Sequence, residues 1–292
     1  MKVITLGGGF IADHLPYEKI NPVREITYLG LCNILNYENP DVVVNCLGAT
    51  GRPNVDWCEG HRLETYQANV MLPLMIANWC EENGVHMIHI GSGCIYFGES
   101  PNHHYDCTSK EAIYQFMTGD APDIGWRETD FANPQSYYSK TKYACDLVLG
   151  QLSHVSTLRI RMPISELDAP RNLINKLRAY SQVIDIHNSM TFMTDLTRCV
   201  EWFTWQRLAG IYHVANPGSL TAAQIMREYQ KYVPSHTFEA ITESQLDRLT
   251  TAKRSNCILN TDKLQHAGFI MTPAEEALQR CMQNYIGRQH VE

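Results

Sequence analysis

Residues 2–12, KVITLGGGFIA, decide how the rest of the chain is read. A short β-branched run ends in three glycines, and Gly7, Gly9 and Ala12 meet the spacing G-x-G-x-x-G/A directly after a predicted first strand. Glycine at such a turn lets the backbone approach a pyrophosphate, and the helix expected to begin there offers free N–H groups. Gly7, Gly9, Phe10 and Ile11 are therefore the expected cofactor contacts. Glycines make tight turns anywhere, so it is the place after the first strand that gives the motif its weight.

Working outward, REITYL (24–29), DVVVNCLG (41–48), VHMIHIG (85–91) and VSTLRIRM (155–162) read as further strands, most of them apolar enough to be buried on both faces. Helical periodicity covers residues 62–82, 136–152, 194–207, 221–233 and 273–286, the last opening on Thr272, Pro273 and Glu275 as a capping box. Strands alternating with helices predict an α/β fold, a doubly wound, Rossmann-like parallel sheet. We expect a dinucleotide-binding domain over 1–163 and a smaller substrate domain over 164–292 with returns to the sheet near 183–214. The segment 97–135, rich in Gly, Pro, Asn and Asp, is too long for an ordinary connection and is expected to be a lid.

The 292 residues are 44% hydrophobic and carry a net charge of −7. Lys and Arg are dispersed, which leaves no basic footprint for a nucleic acid. No apolar run approaches the ~20 residues of a membrane span. The N-terminal apolar run is broken by glycines and Asp13 where a signal peptide would continue, so a cytoplasmic protein is expected, its ten cysteines reduced. His103, His104, Asp106 and Cys107 stand together in HHYDC without a second half at ligand spacing, so a solvated loop is expected there and no metal. A homodimer stays open.

The second predicted strand should end in an acid that binds the ribose of NAD or a base that accepts the 2′-phosphate of NADP; TYLGLCN (27–33) supplies neither, so NADPH and NADH both stay open. In SYYSKTKYA (136–144), Tyr138 and Lys142 lie at i and i+4 on one helical face, where the ammonium can lower the phenol pKa and the phenol can protonate a carbonyl that receives hydride. Ser92, in IGSGCIYFG (90–98), can hydrogen-bond the same oxygen. Asn45, Gly48 and Gly51 can approach the cofactor or simply make a turn. Arg52 and Asn54 can hold substrate, Asp56 can cap a helix, and Asn69 can bind backbone near the site.

GGGFIA, NCLGATG, IGSGCIY and YYSKTK, in this order, resemble the extended short-chain dehydrogenase/reductase superfamily, with Ser92, Tyr138 and Lys142 on its catalytic positions. TGRPNVDWCE (50–59), GCIY (93–96), YSKTK (138–142), LRIRMPIS (158–165), PRNLINK (170–176), NSMTF (188–192), GIYHVANPG (210–218) and RSN (254–256) narrow the resemblance. They are similar to the bifunctional nucleotide-4-keto-6-deoxyglucose 3,5-epimerase/4-reductases. The resemblance implies 3,5-epimerisation of a UDP- or dTDP-linked 4-keto-6-deoxy-D-glucose and then NAD(P)H reduction to the L-rhamnose nucleotide. It implies Cys94 and Lys176 as the acid/base pair beside the carbonyl, and Arg52, Asn54, Asn69, Asn172, Arg254 and Asn256 as substrate contacts. The chain departs from the family in the short, base-free segment after the second strand and in the longer loop 97–135. A 4-ketoreductase lacking the epimerase step, and a non-catalytic dinucleotide-binding subunit, are the other readings.

Overall fold

The computed structural model describes residues 1–22, 26–52, 54–101 and 125–289. The HHYDC cluster and most of the expected lid lie outside them. The strands are β1 (Val3–Leu6), β2 (Glu18–Ile20), β3 (Val42–Asn45), β4 (His86–Ser92), β5 (Val155–Ile160) and β6 (Pro163–Ile164). They continue with β7 (Gln182–Ile184), β8 (Asn188–Phe192), β9 (Gly210–Val214), β10 (Asn216–Leu220) and β11 (Glu239–Ile241). A six-stranded sheet runs in the order β2-β1-β3-β4-β5-β9, and β1 pairs in parallel with β2 on one side and β3 on the other. The topology thus switches at β1, where the carboxyl ends of open α/β sheets bind ligands. β3 and β4 are buried along their whole length, which is why they read as apolar runs.

The second strand is not where the sequence places it. Tyr28–Glu38 is a helix, α1, capped by Thr27, whose hydroxyl accepts from the Gly30 N–H at 3.1 Å. Leu31 and Leu35, one turn apart, are its buried residues, so a 3.6-residue period and a cap override the β-branched start of ITYL. The real second strand is the three-residue β2, mostly exposed and so without a pattern to read. Asn21 and Pro22 follow it, residues 23–25 lie outside the described residues, and TYLGLCN does not end the second strand. The helix expected after the glycines is also missing: only one 3₁₀ turn forms, Ala12–His14.

α2 (Asp56–Gly60), α3 (Arg62–Tyr66) and α4 (Leu72–Asn83) follow β3, with an irregular wide turn at Gln67–Met71 between the last two. α5 (Tyr137–Leu149) precedes β5 and is capped by Ser136, whose hydroxyl accepts from Ser139 N–H at 3.1 Å. Glu59 adds a second cap, its Oε1 accepting the Tyr137 N–H at 2.7 Å. α6 (Leu173–Arg178), α7 (Met193–Gln206), α8 (Ala222–Gln230) and α11 (Ala274–Gln289) complete the longer helices, with α9 (Glu243–Asp247) and α10 (Asp262–His266) between the last two. The expected capping box on α11 does not form: the Thr272 hydroxyl donates to Asp195 and accepts from Arg280.

The chain divides into two compact units: residues 1–95, 134–159 and 197–212 make one, and 96–133, 160–196 and 213–292 the other. Each holds its own core. In the first, Leu6, Val43 and Met87 of the sheet meet Leu31, Ile76, Cys145 and Leu149 of its helices; in the second, Phe192 and Leu220 meet Ile225, Met226, Met282 and Tyr285.

Candidate active site

At the switch point the glycine turn lies over β1. Gly7 has φ +125°, and a Cβ there would stand 3.3 Å from the carbonyl carbon of Cys46, so the position needs glycine. A Cβ at Gly9 would meet nothing within 4 Å, and the N–H groups of Gly9, Phe10 and Ile11 find no acceptor among the described residues. An open cradle with free N–H groups is what an anion needs, although three residues of 3₁₀ helix supply no useful macrodipole.

After β3, Gly51 (φ +73°) admits no side chain: a Cβ would fall 2.3 Å from the Asn54 carbonyl oxygen. Two expected ligand contacts also hold the local fold here. Asn54 Oδ1 accepts the Asp56 N–H at 2.8 Å, fixing the entry to α2. Asn69 accepts the Ala49 N–H at 2.7 Å and donates to the Ala49 carbonyl at 3.0 Å and to the Thr141 hydroxyl at 3.2 Å. Both amide hydrogens are spent on tying the 48–49 turn to α5, so Asn69 has none for a substrate. Asn45 is fully buried; its Oδ1 accepts the Leu47 N–H at 3.0 Å and its Nδ2 faces His89 Nδ1 at 3.0 Å, which removes it from direct cofactor contact. Arg52 is exposed.

Ser92 ends β4, and its hydroxyl accepts the Cys94 N–H at 3.1 Å. The Ser139 hydroxyl donates to the Cys94 carbonyl at 2.6 Å, so the strand end and α5 hold the Cys94 backbone between them. Burial pushes the Tyr138 phenol up, as does the nearby Cys94 thiol, while the Ser92 hydroxyl beside it opposes them. The net direction in the protein alone is upward, opposite to the acidification expected from Lys142, and loss of water is its largest cause. Tyr138 is therefore held as the protonated acid. Lys142 is buried and donates to the Ile90 carbonyl at 3.2 Å, with His89 Nε2 at 3.4 Å. Four residues further along α5, Asp146 forms a buried ion pair with Arg159 at 2.7 Å. Burial raises the Asp146 carboxyl, and Arg159 and then Lys142 pull it back. His89, Asp146 and Arg159 escaped the sequence reading; the only signal for His89 was a polar side chain inside a strand read as buried on both faces.

In the second unit Lys176 lies on α6, and burial followed by the charge of Arg171 lowers its pKa. A lysine pushed toward the amine suits proton transfer. Asn172, expected at the substrate, is fully buried as the α6 cap. Its Oδ1 accepts from Ser165 and Ile174 N–H, and its Nδ2 donates to the Ser165 and Leu167 carbonyls, which exhausts the amide. Asn256 Oδ1 accepts from Asn188 and its Nδ2 donates to Glu243 at 3.1 Å. Arg254 is half-buried and donates to the Ala252 carbonyl at 2.9 Å.

Residues 29–286 match the family model described as the RmlD substrate binding domain. The chain belongs to the RmlD substrate binding domain family. That match begins inside α1, so the glycine turn stands on its own geometry. Among relatives of this RmlD-like chain, an Arabidopsis thaliana bifunctional dTDP-4-dehydrorhamnose 3,5-epimerase/dTDP-4-dehydrorhamnose reductase is 38% identical over 229 residues, covering 77% of this chain and 71% of the relative. An Arabidopsis trifunctional UDP-glucose 4,6-dehydratase/UDP-4-keto-6-deoxy-D-glucose 3,5-epimerase/UDP-4-keto-L-rhamnose-reductase is 36% identical over 242 residues, 82% of this chain and 34% of that protein; this chain spans only about a third of it. The solved UDP-rhamnose synthase of Acanthamoeba polyphaga mimivirus superposes with a TM-score of 0.83 at 25% identity, over 97% of this chain and 99% of the other. A Bacillus anthracis dTDP-4-dehydrorhamnose reductase in complex with NADP gives 0.74 at 20% identity, over 96% and 97%, a likeness of fold.

Proposed function

We propose that this chain is a nucleotide-sugar 3,5-epimerase and 4-ketoreductase that converts a UDP- or dTDP-linked 4-keto-6-deoxy-D-glucose to the L-rhamnose nucleotide with NADPH. The observation that carries the reading is the cluster at the end of β4: Ser92 and Cys94, two residues apart, both lie close enough to the buried Tyr138 phenol to shift its pKa, and Lys142 lies one turn along the same helix. The activities of the relatives described above agree with it. The open cradle at Gly9 and the free N–H groups of Gly9, Phe10 and Ile11 fit a dinucleotide pyrophosphate, with Gly7 and Gly48 giving close backbone approach. When bound there, NADPH supplies a hydride to the 4-keto carbon.

The chain's own residues do the rest. Tyr138, held protonated, gives its proton to the carbonyl oxygen; Ser92 orients that oxygen; Lys142 holds ribose hydroxyls. Cys94 and Lys176 exchange the acidic protons on the carbons flanking the carbonyl, which inversion at two centres requires. Arg52 and Arg254 are assigned to the nucleotide diphosphate. A cytoplasmic site of action fits the nine described cysteines, none in a disulfide; among the described residues no helix is long and apolar enough to cross a membrane. Self-association as a homodimer is offered by Leu147 and Val148, apolar and exposed on α5, and sedimentation velocity reads it. The function is tested by following NADPH absorbance with a UDP- or dTDP-4-keto-6-deoxy-D-glucose and identifying the product. Oxidation of NADPH with formation of an L-rhamnose nucleotide is expected; no oxidation with either nucleotide ends the proposal.

A further inference from the structure

His89 occupies the middle of the first unit's sheet with no solvent exposure, between an amide on β3 and the ammonium on α5. Its Nδ1 is 3.0 Å from Asn45 Nδ2 and its Nε2 is 3.4 Å from Lys142 Nζ. Which ring nitrogen carries the proton decides what Lys142 meets. The answer is set one residue back, because the Leu47 backbone N–H can only donate, and it donates to Asn45 Oδ1 at 3.0 Å. That bond fixes the amide so that Nδ2 faces the ring. Nδ2 can only donate, so Nδ1 must accept, and the neutral ring carries its proton on Nε2, pointing at Lys142.

We propose that His89 is a positioning residue for Lys142, and that Asn45 sets its tautomer so that the ring refuses the lysine's protons. In the other tautomer Nε2 would accept from the ammonium and bind it into the sheet. In this one the ammonium meets an N–H, keeps a single interior acceptor in the Ile90 carbonyl at 3.2 Å, and has its remaining hydrogens for a ligand outside the sheet. The ring stays neutral in this role, since burial and then the charge of Lys142 hold its pKa well below the ordinary histidine value. The groups facing His89 are Asn45 from β3 and Lys142 from α5, and Lys142 is the charged one. The inference rests on the catalytic reading of Lys142 given above.

The tautomer is measured first, in the ligand-free protein, by ¹⁵N NMR of histidine-labelled material, with His89 assigned by its loss in His89→Gln. An unprotonated Nδ1 is expected; an unprotonated Nε2 overturns the proposal. Asn45→Asp then offers an acceptor in place of the donor, and Asn45→Ala removes the donor. In both, His89 is expected to move its proton to Nδ1, and kcat for NADPH oxidation to fall about tenfold or more while KM for NADPH changes less than about threefold. Either variant suffices if the other does not fold. A switched tautomer with kcat within about twofold of the parent also overturns the proposal. A purely structural role would lower the melting temperature of both variants and leave kcat of the folded protein unchanged. If the parent protein shows no turnover at all, the catalytic reading fails, and the NMR result still decides the tautomer.

Discussion

In the proposed mechanism Tyr138 and Cys94 divide two chemistries between them, and each can be removed alone. Tyr138→Phe keeps the ring that packs in the site and deletes the acid. NADPH oxidation should fall by roughly 10² or more while the variant still binds NADPH, measured by fluorescence titration. Near-normal oxidation would take Tyr138 out of the mechanism. Cys94→Ala should abolish deuterium incorporation from D₂O beside the carbonyl, yet still reduce a 4-keto sugar supplied already epimerised, because the thiol has no part in hydride delivery. Unchanged exchange in a folded Cys94→Ala protein would leave a plain reductase. The four residues of this cluster were legible from their spacing and resemblance alone. The asparagines were not, since nothing in a sequence separates an amide that caps a helix, as Asn172 does, from one that greets a ligand.

At the scale of elements, α5 carries Tyr138, Lys142 and Asp146 at successive turns, and its depth against β5 is fixed by the Asp146–Arg159 pair. Arg159→Met should leave a buried carboxylate without its partner and cost about 3–5 kcal/mol in urea unfolding, whereas Arg159→Met with Asp146→Leu should recover most of that loss. A small cost for the single variant would mean that Asp146 takes up a proton, the direction in which burial already pushes it. β3 could be read because a strand buried on both faces is written as an apolar run, and β4 and β5 because β-branched and aliphatic residues recur along them. β2 could not: three largely exposed residues carry no such run, and the neighbouring ITYL imitated one until Thr27 was seen to cap α1. The glycine spacing identified the turn correctly and the helix after it wrongly, because the spacing encodes close backbone approach and carries no information about the residues beyond the turn.

Over the whole molecule, acid should be the weak side of stability. His86 is buried, its Nε2 facing the Ser156 hydroxyl at 2.8 Å; Ser156 itself donates to the Leu208 carbonyl, so it can accept from the ring. Burial, then Arg207 and His154, lower the His86 pKa to about 4, and His89 shifts the same way. Above the ordinary histidine pKa of about 6.5 both states are neutral and nothing is lost. Below it the unfolded chain takes up protons that the folded one refuses, so stability should decline from about pH 6.5 down to about 4, read as the urea midpoint across that range. His86→Gln should flatten the decline; an unchanged slope would mean that other groups dominate. The choice of cofactor also belongs to this scale, and NADPH should be used at least as well as NADH when kcat/KM is compared for the two. A strong NADH preference would point to an acid reaching the ribose.

The chain leaves the first unit at residue 95, returns at 134, leaves again at 159 and comes back only for 197–212. During synthesis, therefore, the sheet that carries Ser92 and the helix that carries Tyr138 lie far out of the ribosome while β9, an edge of that sheet, has not yet been made. The two units cannot be finished one after the other as beads on a string. The first completes its sheet only after all of 160–196 has been made, with residues 213–292 still to come. Stretches of both are exposed together for much of translation, and it is there, more than in the finished protein, that a chaperone would find something to hold.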